Sequence, residues 1–154
     1  MEYDSTADTL KHIKRVNELL GLAASELIRR GSIHDDSKLI PPEKEAFDIM
    51  TPRLKTLVYG TDEYQQSLAE MKTAIDHHQQ NNSHHPEFYP DGVDGMDLFD
   101  LLEMFFDWKA ASERHETGDI LKSIMLNEDR FRLSPQVASI MRNTVQRYLQ
   151  DKGW

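Results

Sequence analysis

The chain has 154 residues and no cysteine; 38% of them are hydrophobic and 29% charged, and 18 Lys and Arg stand against 27 Asp and Glu, for a net charge of −9. That length and apolar share predict one compact domain over residues 1–154 with a real core. The missing thiols exclude disulfides, thiolate metal sites and a cysteine nucleophile, and the acidic balance without a basic cluster argues against stable nucleic-acid binding.

No apolar run approaches the length of a bilayer span, and Met1-Glu2-Tyr3-Asp4 lacks the basic-then-apolar layout of a secretory signal. The expectation is a soluble, cytoplasmic protein with no membrane partner. In chain order, Ser5 or Thr6 caps a first helix with Leu10, Ile13, Val16, Leu20, Ala24 and Leu27 at helical spacing, stopping at Gly31. His12 sits beside this stripe, on the side of Val16 and Leu19, and reads as either a boundary histidine or an inward-facing ligand. The Gly31-Ser32 break leads into Ile33-His34-Asp35-Asp36-Ser37-Lys38. Here an imidazole and a carboxylate, both ligand types for a divalent cation, stand beside an ammonium that can donate to phosphate oxygens. The bland alternative is a capping Asp next to a surface His.

Pro41-Pro42 with Glu43 starts a second helix through Ala46, Phe47 and Met50; Thr51-Pro52 repeats the signal and predicts a short third helix with Leu54, Leu57 and Val58, ending near Tyr59-Gly60. Tyr64, Leu68, Met71, Ile75 and His78 then trace one face of a single helix. His77 points about a hundred degrees away, so it takes a different role from His78. The polar stretch Gln79 to Gly92 is dense in His, Asn and aromatics, including Asn82, His84, His85, Glu87, Phe88 and Tyr89. Such a loop is either functional or a solvated turn with bystander histidines, and Phe88 and Tyr89 either stack on a base or pack the loop down.

A helix from Asp97 to about Glu116 carries Leu98, Leu101, Leu102, Phe105 and Trp108 as anchors, with Asp100, Glu103, Asp107 and Arg114 along a second stripe. Ala110 and Ala111 leave room near Asp107; the alternative is a solvated face of charge pairs. Asp119 caps a helix with Ile120, Leu121, Ile124 and Met125, and Ser134-Pro135 starts a last one with Val137, Ile140, Met141, Val145 and Tyr148. No strand pattern and no repeat appear. The fold class is all-α, in about six or seven helices.

His12, then His34-Asp35, then Asp107 resembles the layout of the HD-domain superfamily of metal-dependent phosphohydrolases. The combination His34-Asp35-Asp36-Ser37-Lys38, His77-His78 with Asn82 and His84-His85-Pro86-Glu87, and Asp107-Trp108-Lys109-Ala110-Ala111 with Arg114-His115 looks more closely like a small phage and bacterial family related to HD domains. It also resembles, less closely, the HD phosphodiesterases in which the dyad is followed by Gly-Lys; Ser37 stands in place of that Gly, and Lys38 in place of the Glu found in many HD nucleotidases.

The resemblance implies an HD-domain-like bundle holding one or two divalent ions (Mn, Fe, Co, Ni, Zn or Mg) on His12, His34, Asp35 and Asp107. It implies hydrolysis of a phosphoester in a nucleotide or related small phosphorylated molecule. Asp35 and Asp107 would also orient the attacking water, and Lys38 would contact a nonbridging oxygen. His78 with His84 or His85 would bind a second ion or act as acid and phosphate donors. His77, Asn82, His85, Glu87, Lys109 and Arg114 are further substrate-binding candidates, and a homodimer stays open. Two other readings compete: an HD-type di-iron oxygenase completed by His78 and His84, and a non-catalytic, metal-stabilised nucleotide-binding module.

Overall fold

A carboxylate rather than a hydroxyl starts the first helix: Thr6 N–H donates to Asp4 Oδ1 at 2.9 Å, and Ser5 makes no side-chain cap. In the computed structural model, which describes residues 3–54, 56–57, 61–114 and 118–149, the described residues form seven α-helices and no strand. The all-α class is therefore observed. The chain divides into two compact units, Met1–His34 and Asp35–Trp154.

The first unit is the helix α1 (Thr6–Ile33). Gly31 lies inside it instead of ending it: the helix runs two residues further, to Ile33, before Asp35 adopts a left-handed conformation at φ 61°. A short polar side chain is among the few that tolerate this region. Ion pairs of Arg15 with Glu18, and of Arg29 and Arg30 with Glu26, brace α1 at helical spacing. Leu10, Ile13, Val16 and Leu20 are exposed, and so is His12. A single helix has no second element of its own unit against which to bury a stripe.

The second unit holds α2 (Glu43–Leu54), α3 (Asp62–Glu70), α4 (Lys72–Asn81), α5 (Leu98–Ser112), α6 (Ile120–Phe131) and α7 (Pro135–Thr144), the last continuing into a wider π turn over Val145–Leu149. Pro52 does not start a new helix; α2 runs through it to Leu54, and the expected end near Val58, Tyr59 and Gly60 lies outside the described residues. Near a helix's last turn, a proline removes only one intrahelical bond. The continuous stripe through Met71 is split into α3 and α4, with Met71 at the joint (φ −89°, ψ 0°). Its burial pattern survives the break: Met71 and His78 are buried, and Tyr64, Leu68 and Ile75 are partly so.

Helix starts follow the local chemistry closely. Asp97 caps α5 by accepting from Phe99 and Asp100 N–H while Asp100 returns a bond to Asp97 N–H, a complete capping box. Asp119 and Ser134 cap α6 and α7 through Leu121 N–H and Val137 N–H. α5 ends at Ser112, before the expected boundary, and residues 115–117 lie outside the described part.

The unit's two halves have different cores. Met104, Phe105, Ile120, Ile124, Leu133, Met141 and Val145 from α5 to α7 form an apolar cluster, with Trp108 stacked on Phe131 at its rim. Leu98, Met125 and Ile140, expected as anchors, are exposed instead, because three helices bury only the stripe they share. In the α2–α4 half, Met50, Met71 and Ala74 are joined inside by Glu43, Ser67, His78 and His84, all at most 3% exposed. Buried polar side chains persist only when their bonds are made or a ligand completes them.

A buried histidine and carboxylate cluster

Three segments of the second unit converge on Asp35: its own 3-10 turn (Asp36–Leu39), the end of α4, and the loop after it. The turn is tied to α4 by Asn82, the C-cap of α4, whose amide donates to Ser37 Oγ at 2.9 Å and to His78 O at 2.7 Å. Asn82 thus fixes the turn against the end of α4.

Glu43 is the buried anchor. It is fully buried, and its carboxylate accepts from His77 Nδ1 (Oε1, 2.8 Å), His78 Nδ1 (Oε2, 2.9 Å) and Ser37 Oγ (Oε2, 2.9 Å). Burial pushes its pKa up, but these three bonds outweigh it and hold the carboxyl below its ordinary range. Neighbouring histidines expected to act differently thus meet on one carboxylate, each on its own oxygen. An ionised carboxylate only accepts, so His78 donates to Glu43 from Nδ1 and turns its Nε2 toward Asp35.

That Nε2 is buried, has no hydrogen-bond partner, and lies 3.1 Å from Asp35 Oδ1. His84 is set in a similar orientation: Nδ1 is 3.3 Å from Glu103 Oε1 and Nε2 is 3.5 Å from Asp35 Oδ1. His85 adds a third imidazole whose Nε2 is buried and without a hydrogen-bond partner. Burial, then repulsion from His84 and His78, pushes the His85 pKa down to about 3, against an opposing pull from Asp107. It is neutral at physiological pH. The ring centroids lie 4.8 Å apart for His78 and His85 and 4.3 Å for His84 and His85, and one nitrogen from each of the three rings falls within 4.8 Å of the others.

Donors bound at about 2.0–2.1 Å to a shared ion sit roughly 3–4 Å from one another. Either a proton or a shared cation can stand between an imidazole nitrogen and a carboxylate oxygen at such spacing. Carboxylates behind the imidazoles are the usual second shell of metal-bound histidine. On its orphaned nitrogens and donor chemistry, the cluster fits a first-row divalent ion, with His78, His84, His85 and Asp35 as its holders.

Of the residues singled out in the sequence, Asp35, Lys38, His77, His78, Asn82, His84 and His85 come together in or against this cluster, and Asp107 acts on His85 through its charge. Burial opposes the charge on Asp35, but contacts with His78, His84 and Lys38 hold its carboxyl well below the usual range. Lys38 donates to Asp35 Oδ2 at 2.6 Å from above the Phe47 ring. His12 and His34 belong to the first unit. Glu87 instead pairs with Arg130 at 3.0 Å on a cavity of about 520 Å³ lined by Tyr89, Arg132 and Phe131. Lys109 pairs with Glu113 and lines a different, smaller cavity, and Arg114 is exposed in the turn after α5. His115 lies outside the described residues.

Glu43 and Glu103 were not read as site residues. Glu103 carried a signal, since it stands on the acidic stripe of α5; Glu43 carried none, because a carboxylate at a helix start is the commonest of features.

The loop holding His84 and His85 is pinned from α5. Asp100, 1% exposed, accepts from Ser83 Oγ at 2.7 Å, Tyr89 OH at 2.6 Å and Asp97 N at 3.0 Å. Tyr89 therefore packs the loop down, with Phe88 edge-on against it. A Cβ at Gly95 would fall 2.8 Å from Tyr89 Cβ, so only glycine fits there without a shift.

Burial, then the bond to Asp100, pushes the Tyr89 phenol up to about 12 from 10.0. Between these values the folded state keeps a proton that the unfolded chain has released, so this contribution is full below pH 10 and is lost as pH rises toward 12. Chemical unfolding followed from about pH 9 to 11 should show a steeper loss in the wild type than in Tyr89→Phe. Parallel profiles would contradict the assignment.

The chain belongs to a family of unknown function, DUF5662, whose model matches residues 1–147. No curated protein and no solved structure matches it.

Proposed function

We propose that this member of the DUF5662 family is an HD-type, metal-dependent phosphohydrolase acting on a nucleotide or a related small phosphoester, its metal held in the second unit by His78, His84, His85 and Asp35. The observation that carries the reading is the pair of buried imidazole nitrogens, His78 Nε2 and His85 Nε2, that have no hydrogen-bond partner beside the Asp35 carboxylate. Each unsatisfied buried polar atom costs about 1–3 kcal/mol, and a bound cation removes that cost for both.

A divalent ion supplies charge neutralisation at a phosphoryl group and a water of lowered pKa when bound. The chain's own residues do the rest. Glu43 and Glu103 hold the His78 and His84 rings with their Nε2 atoms toward Asp35. Asp35, kept ionised, is an acceptor that would orient a water. Lys38 has a partly exposed ammonium with three donors, of which Asp35 uses one, so it can bind a nonbridging phosphate oxygen. His77, half-exposed, shares the Glu43 carboxylate and stands at the edge of the cluster.

The test is phosphate release from nucleoside mono-, di- and triphosphates and cyclic nucleotides, with Mn, Co, Ni, Mg or Zn added, beside Asp35→Ala. The expected result is metal-dependent release by the wild type that disappears in the variant. Release undiminished in Asp35→Ala would overturn the assignment. Silence across the panel, with iron bound and oxygen consumed, would move the site to the di-iron oxygenase reading, and tight nucleotide binding without turnover to the sequestering module.

A further inference from the structure

The two residues that bracket the His84–His85 pair, Ser83 before it and Tyr89 after it, donate to the same buried carboxylate. Ser83 Oγ gives its proton to Asp100 Oδ1 and Tyr89 OH gives its proton to Oδ2. Asp100 is held in turn by the capping box at the start of α5, one oxygen accepting from Asp97 N–H. It belongs to the first turn of a helix whose Met104 and Phe105 are locked into the apolar core.

From this we infer that Asp100 is a positioning residue for the metal site: through Ser83 and Tyr89 it sets the place of the His84 and His85 rings. The inference rests on the metal reading above. Three donors satisfy both oxygens of a carboxylate that is 1% exposed, so Asp100 has no freedom to shift without leaving a charge unpaired. Between Ser83 and Tyr89, the short 3-10 turn Pro86–Phe88 limits how far the loop can relax, and Pro86 is itself buried. His84 has a further hold in Glu103, one helical turn along α5 from Asp100. The His85 ring lies against those of His78 and His84, and its Nε2 has no hydrogen-bond partner; its place follows from the loop. Fixing a ligand within about half an ångström of its productive position takes locked supports of this kind.

Asp100 also caps a helix, so its removal tests folding as much as positioning. The discriminating variants are Ser83→Ala and Tyr89→Phe, each of which deletes one donor and leaves the capping box whole. Ser83→Thr, which keeps the hydroxyl, is the conservative rescue. The probe is Co(II) added to metal-free full-length protein, read by affinity and by the visible ligand-field bands, at a temperature where circular dichroism shows every variant folded.

The expected result is about tenfold weaker Co(II) binding, the lower end of what second-shell changes cost, with shifted bands in Ser83→Ala and Tyr89→Phe and near-wild-type behaviour in Ser83→Thr. A merely structural clamp would lower the melting temperature and leave the bands where they are. If the wild type binds Co(II) and both deletion variants bind it equally well with the same spectrum, Asp100 does not position the site while the metal reading stands. If the wild type binds no Co(II), Zn(II) or Mn(II), both fall together.

Discussion

Replacing His78 by Ala is expected to abolish retention of divalent metal by the protein. The His78 ring is the best-fixed donor of the cluster: it is 3% exposed, its Nδ1 is bonded to Glu43, and its Nε2 lies 3.1 Å from Asp35 Oδ1. Removing a direct donor exceeds the 10- to 100-fold loss typical of changes behind the ligands. Metal content after dialysis, with Zn(II) or Co(II) supplied in excess beforehand, checks this. His77→Ala is the matched control, since His77 shares Glu43 but places no atom against Asp35 in the observed contacts. Equal retention by wild type, His77→Ala and His78→Ala would remove the cluster's claim to a metal.

The second large effect concerns stability and is independent of any ion. Glu43→Ala leaves the Nδ1 donors of His77 and His78 and the Ser37 hydroxyl without their shared acceptor, with His78 itself buried. Breaking a buried ionic network by removing one partner costs about 3–5 kcal/mol, and an emptied side-chain volume adds to that. Denaturant unfolding of the metal-free protein at neutral pH should show a loss of this size for Glu43→Ala and a smaller one for Glu43→Gln, which keeps one acceptor oxygen. A loss under about 1 kcal/mol for Glu43→Ala would place that carboxylate at the surface instead, in the range of exposed pairs.

The sign of the acid response follows from the same group. The folded-state pKa of Glu43 is lowered, so its contribution is present above the unfolded carboxylate value of 4.5 and is lost as pH falls through the folded value. Asp35, lowered for the same kind of reason, acts in the same direction.

How much of this could be read from the chain depends on the range of the interaction. Asp97, Asp119 and Ser134-Pro135 announced their helices because a cap is satisfied within three residues, and the observed caps use the atoms expected of them. Gly31 and Pro52 misled because each is a tendency that neighbouring structure overrides: α1 continues past the glycine and α2 passes through the proline. The break at Met71 left the stripe intact, since both helices present the same side inward, and so periodicity did not register it.

Residue types and helix faces were thus determined by the sequence alone: an all-α chain, thiol-free, with His78 on a buried stripe and with Asp35 and Lys38 beside each other. Which histidines meet Asp35 was decided only by the tertiary structure. His78 and His84 reach it across separations of more than forty residues, and Glu43 and Glu103 come in from two further helices to turn those rings. Local propensity acts over one or two helical turns, whereas this cluster depends on where α2, α4, α5 and the 82–97 loop are placed by packing. Burial in that packed interior is also what strips water from His78 and His85 and turns ordinary polar side chains into candidate ligands.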